Sequence, residues 1–171
     1  MKTKITYDLL MSRGLVFYLL LVIVLGIAGV QRPYLGVIAA TLLFTVYDIY
    51  GYESIKDKND LKSVQGYRIT QNMFFILLLI LTANIYGFKA VISFFVLHRF
   101  GVCDFLYYLI GHYRIEGEYT WLTWTPLLMV RKLINIIRRK TATAEMNIIT
   151  PFEFVVQALA GIGVILFAYL S

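Results

Sequence analysis

"HRFGVCDFLYYLIGH", residues 98–112, sets a histidine, an arginine, an aspartate and a second histidine within one of the most apolar parts of the chain. The residues before it, "AVISFFVL" at 90–97, carry no charge. Read together, residues 90–113 make one helix long enough to cross a bilayer, which takes about 20 mostly apolar residues. The polar groups then stand inside that helix and need a reason to be there. Composition agrees with the membrane reading. The 171 residues are 60% hydrophobic and 15% charged, with a mean hydropathy of +0.74. A soluble domain has roughly 45–50% apolar and about 25% charged residues.

Outward from this stretch, four more apolar runs appear, at 15–30, 34–51, 72–88 and 152–170. The turn "QRP" separates the first two, and "YGFK" precedes the span at 90–113. Two polar segments remain, "YESIKDKNDLKSVQGYRITQ" and the residues up to Thr150. The last span has a defined start. Thr150 stands as N-cap, Pro151 at the first helical position and Glu153 three residues after the cap, the pattern of a capping box. The expected architecture is an all-α integral membrane protein, a five-span helix bundle forming a single membrane domain over residues 1–171. The basic N-terminus leads into a long apolar run with no small-residue cleavage site, so the first span is expected to be retained. The single cysteine, Cys103, leaves no internal disulfide and no thiolate zinc cluster.

Lys and Arg set the orientation. Lys2, Lys4 and Arg13, then Lys56, Lys58, Lys62 and Arg68, then Arg114, Arg131, Lys132, Arg138, Arg139 and Lys140 fall on alternate connections. The opposite side holds Arg32 and Lys89. Positive-inside asymmetry places the N-terminus in the cytoplasm and the C-terminus outside. The net charge of +6 is explained by this asymmetry, and nucleic acid is not expected as a partner. Within "PLLMVRKLINIIRRK", Leu127, Val130, Leu133, Ile134 and Ile137 recur at helical spacing opposite Arg131, Lys132, Asn135, Arg138 and Arg139. That pattern predicts an amphipathic helix over about 122–140 lying in the inner interface near anionic headgroups. Read as a sixth span, it would bury the Arg131–Lys132 pair. No internal repeat is visible, and no span reads as broken by a central Gly or Pro, which argues against a carrier.

Ionisable side chains inside a span cost roughly 2.5–3.5 kcal/mol each on insertion scales and mark function by default. At a rise of about 1.5 Å per residue, Asp48 lies ~21 Å and Asp104 ~22 Å from the outer side. Both carboxylates are therefore expected at similar depth in the inner leaflet. On its helix Asp48 shares a face with Tyr34, Thr41, Thr45 and Tyr52, and Asp104 shares one with Leu97, Gly101 and Tyr108. Gly101 is read as the point where a neighbouring helix approaches closely. His98 and His112 share a face but stand ~21 Å apart by rise, too far to hold one ion. Arg99 has Asn84 as its candidate partner.

No HExxH, Walker or GxSxG motif is present. The expected catalytic set is Asp48, Asp104, His98 and His112: two carboxylates that share a proton or bind a divalent cation, with a histidine as proton carrier. Tyr52, Glu53, Arg68, Tyr108, Arg114 and Glu116 form the expected substrate-binding rim. The leading functional reading is an intramembrane enzyme acting on a lipid or isoprenoid in the bilayer. Two others stand beside it. One is a non-catalytic subunit or ligand-binding protein working as a homo-oligomer or with a membrane partner, and the other is a small proton-coupled transporter. In the plainest alternative, Asp48 and Asp104 only hydrogen-bond to neighbouring helices and hold them together.

Overall fold

The structure, a computed structural model, describes residues 2–55, 61–110, 125–137 and 149–170, with side chains from Gly14 onward except at 52–55, 61 and 135–137. Among the described residues every element is a helix: α1 (Lys2–Gly29), α2 (Pro33–Ile55), α3 (Leu61–Tyr86), α4 (Phe88–Arg99), α5 (Val102–Ile110), α6 (Pro126–Ile137) and α7 (Pro151–Leu170). Among the described residues, three stretches are long and apolar enough to cross a membrane, Pro33–Gly51, Lys62–Tyr86 and Pro151–Leu170. The pair α4 and α5 makes a fourth if taken together, bent by 66°. The apolar part of α1, Gly14–Gly29, is shorter. Large apolar side chains stand exposed on these helices, among them Ile27, Met73 and Phe167 at 70%, 65% and 75%. Such exposed apolar side chains are compatible with a membrane protein.

Two features depart from the sequence reading. The polar segment after the second apolar run is largely helical, because α2 continues to Ile55 and α3 begins at Leu61. The stretch at 90–113 is not one straight helix. It breaks at Phe100–Gly101, with Gly101 at φ 75°, in the left-handed region that a side chain disfavours. Gly101 lies near the centre of the expected span, so the chain does carry a glycine-broken apolar helix.

Contacts divide the chain into two compact units, one up to Phe94 and one from Phe95. In the first, α1 and α2 form a tight hairpin. A Cβ on Gly29 would stand 2.6 Å from the backbone of Gly36, and one on Gly36 would stand 2.6 Å from the Tyr86 ring. The absent side chains let the two helices meet and seat Tyr86, whose hydroxyl donates to the Gly26 carbonyl at 2.9 Å. Further along, Phe44 packs against Phe74, Phe75 and Phe94, and Tyr47 stacks on Phe74 at 4.2 Å. Thr41 and Thr45 are buried. Their hydroxyls donate back to the Val37 and Thr41 carbonyls, which satisfies them within their own helix.

In the second unit, α7 receives the broken helix on one stripe. Phe154, Gln157 and Gly161 lie at i, i+3 and i+7, one face of a helix. A Cβ on Gly101 would meet the Phe154 ring at 3.2 Å, and one on Gly161 would meet the Phe100 Cβ at 2.5 Å. The close approach expected at Gly101 therefore exists, beside its unusual backbone. Gly163 faces open space. Leu128, Ile149 and Phe154 form a buried cluster in this unit, with Phe105 and Tyr108 packed against it. The expected capping box at the start of α7 is formed: the Glu153 amide donates to Thr150 Oγ1 at 3.3 Å, and the Thr150 amide donates to Glu153 Oε2 at 3.0 Å.

Candidate functional site

Asp48 lies about two turns before the end of α2, and Tyr67 about two turns after the start of α3. A short connection between two antiparallel helices brings such positions to one height. The Tyr67 hydroxyl donates to Asp48 Oδ1 and also lies 3.2 Å from the Asp48 carbonyl oxygen. Gln71, one turn further along α3, donates its amide to the same Oδ1. Arg68 in turn donates to Gln71 Oε1 at 3.1 Å. A half-buried carboxyl group thus accepts from a phenol and from an amide, and the amide in turn ties it to an exposed guanidinium. Tyr67 itself is buried, and its ring fits because residue 51 is glycine: a Cβ there would collide with it.

The same glycine forms part of a second feature. A shallow hollow of about 450 Å³ is lined by Leu15 and Leu19 of α1, Leu43, Val46, Tyr47, Tyr50 and Gly51 of α2, and Phe74 of α3. Its volume lies in the range of small-ligand sites, about 300–1,000 Å³. Its walls are almost wholly apolar, and Gly51, one of its lining residues, also lies against the Tyr67 ring.

Asp104 belongs to the second unit, in the first turn of α5, and is half-buried. The break explains its surroundings. The Gly101 carbonyl accepts from the Phe105 amide at 2.9 Å, so Gly101 caps α5 and Asp104 stands near the positive end of that short helix. An acidic residue is favoured there by the unpaired amides of the first turn. His98 lies in the last turn of α4, half-buried, on the other side of the break. The stripe joining Leu97, Gly101, Asp104 and Tyr108 presumed one continuous helix and is interrupted at its second member.

The remaining expected site residues are distributed as follows. Arg68 joins the Asp48 cluster. Tyr108 packs edge-on against Phe154, with ring centroids 5.9 Å apart, beside the buried cluster of the second unit. Tyr52 and Glu53 fall in α2, but their side chains lie outside the described residues, as do His112, Arg114 and Glu116 entirely. Arg99 lies over the Phe95 ring at 5.1 Å, a cation–π contact one turn back on its own helix. Asn84 donates to the Ile80 carbonyl. Among the described residues, no group of three or more His, Cys, Asp or Glu side chains is gathered to hold a metal ion.

Sequence reasoning passed over two residues that matter. Tyr67 sits in a segment read as a polar connection, and only the antiparallel pairing of α2 with α3 reveals it as the partner of Asp48. Gln157 is an amide within the most apolar helix, and its polarity was the available signal. Its side chain donates to the Phe100 carbonyl at 3.2 Å and accepts from the Leu127 amide at 3.1 Å. The chain matches no family model, no curated protein and no solved structure.

Proposed function

We propose that this chain is a five-span membrane protein, N-terminus cytoplasmic and C-terminus outside, that acts on a lipid or isoprenoid at an inner-leaflet site built around Asp48. The spans are the apolar part of α1, then α2, α3, the α4–α5 pair and α7, with α6 lying in the inner interface. The orientation rests on the Lys and Arg asymmetry. The observation that carries the functional reading is the pairing of a polar cluster with an apolar hollow across Gly51. An amphiphile needs both: an apolar wall for its chain and a few placed polar groups for its head. Asp48 is the acid–base group, Tyr67 and Gln71 fix its carboxylate, and Arg68 draws an anionic head to the rim.

The test is turnover by the full chain in liposomes of a total lipid extract, followed by lipid mass spectrometry. A lipid species should be consumed by the wild type and spared by Asp48→Asn. No consumption by the wild type ends the enzymatic reading, and consumption that continues unchanged in Asp48→Asn removes Asp48 from the chemistry and leaves it as a bond between two helices.

A second reading is favoured by the break in the α4–α5 pair. Carriers place protonatable groups at discontinuous helices, and Asp104 stands one turn after Gly101. In this reading the chain is a small proton-coupled transporter. Proteoliposomes containing Asp104→Asn should then lose the proton flux of the wild type; equal flux from both discards it.

A further inference from the structure

A helix broken within apolar surroundings leaves backbone groups without their i, i+4 partners, and each must be satisfied elsewhere. At the break between α4 and α5, some are met locally: Phe100 donates to the Val96 carbonyl and Gly101 to the His98 carbonyl. The Phe100 carbonyl is met by the Gln157 side chain. The start of α6 poses the same need. Pro126 opens the helix, and the Leu127 amide is one of the first-turn donors that no intrahelical carbonyl can accept. It too is met by Gln157. One side chain, only 6% exposed, therefore holds the end of one broken helix with its NH₂ group and the beginning of another with its oxygen. A further link between α6 and α7 is the ion pair of Arg131 with Glu153.

We propose that Gln157 is a latch that couples α6 to the break: when α6 is loosened from α7, the Phe100–Gly101 turn loosens with it. The amide can serve both helices only while both hold their places around α7. Displacing α6 removes the acceptor's load and frees the side chain to rotate, which costs the break the hydrogen bond to Phe100. The exposed side of α6 carries Met129, Val130, Lys132 and Leu133, so conditions at that surface reach the turn that leads to Asp104. This coupling lies wholly within the second unit and does not depend on the role of Asp48.

Cys103, buried two residues after Gly101, is the chain's only cysteine and reports the state of the turn without any added label site. The experiment measures the rate of maleimide modification of Cys103 in the full chain in detergent micelles, with far-ultraviolet circular dichroism and elution profile as checks of folding. Gln157→Leu, which keeps the bulk and removes both bonds, should raise the rate by about tenfold, as loss of buried hydrogen bonds favours local opening. Gln157→Glu keeps the acceptor for Leu127 but cannot donate to Phe100 when ionised, and should also raise it. The decisive variant is Arg131→Gln, which removes the ion pair between α6 and α7 and leaves Gln157 in place. Coupling predicts a smaller increase in Arg131→Gln, about twofold for a partly exposed pair, and no further increase when it is added to Gln157→Leu, because the two act through one path. A rate unchanged in Arg131→Gln, or one that adds independently to that of Gln157→Leu, overturns the latch and leaves Gln157 as a local cap. An unchanged rate in Gln157→Leu itself overturns it outright. If Gln157→Leu does not fold, the Arg131→Gln and Gln157→Glu rates decide alone.

Discussion

The two units meet the same difficulty, polar groups in apolar surroundings, from opposite directions. In the first, the helices α2 and α3 are unbroken and the difficult group is a side chain, the Asp48 carboxylate. Other side chains answer it: Tyr67 and Gln71 reach across from α3. In the second, the difficult groups belong to the backbone, exposed by the break at Phe100–Gly101 and by the start of α6. A single side chain, Gln157, answers both. The contrast shows why polar residues in an apolar helix cannot be read as functional by their presence alone. Asp48 brings a polar carboxyl group that must be served, whereas Gln157 serves backbone groups.

The largest expected effect breaks the hairpin that orders the first unit. Gly29→Ala sets a Cβ 2.6 Å from the Gly36 backbone, and backbone cannot rotate away as a side chain can. Overpacking of this kind costs about 3 kcal/mol, and unfolding of the purified chain in mixed micelles should show a clear loss. In the second unit, Gln157→Leu leaves a carbonyl and an amide unsatisfied, at roughly 1–3 kcal/mol each. A loss of about 2 kcal/mol in the same assay is expected; a loss under half that value would mean the break is satisfied by other means.

Tyr67→Phe sharpens the comparison. It removes one donor from Asp48 while Gln71 remains, so the loss should be about 1 kcal/mol. In Asp48→Asn the same Tyr67→Phe change should cost less, a coupling that a double-mutant cycle reads directly. Equal costs in both backgrounds would show that the phenol does not act on the carboxylate. The smallest effect is expected for Glu153→Gln. Its pair with Arg131 is partly exposed, and such pairs contribute about 0.2–1 kcal/mol. Glutamine also keeps an acceptor for the Thr150 cap, so the change should fall near the lower end of that range.

The residues made some of this arrangement legible. Thr150, Pro151 and Glu153 announced the start of α7, and the capping box formed as expected, because it needs only neighbours in the chain. The helical character of the apolar runs followed from their length and composition for the same reason. The helical continuation through 52–55 and 61–71 was missed because polar residues hid it, and helix formation there depends on extending an established helix rather than on burial. The break at Gly101 was missed because glycine has two uses in an apolar helix, close packing and left-handed backbone, and both look alike in sequence. Here both apply.

The sequence by itself determined the composition of an all-helical, strongly apolar chain and the local signals that start its last helix. It also determined which positions carry groups that apolar surroundings penalise. Only the tertiary structure decided what serves those groups. Asp48 meets Tyr67 through the pairing of two helices, and Phe100 meets Gln157 through residues far apart along the chain. The physical reason is the reach of each interaction. Hydrophobic periodicity and capping act within a few residues, so the chain states them directly. A hydrogen bond across a helix seam depends on how two helices are set against each other, and that setting is fixed by packing over their whole length.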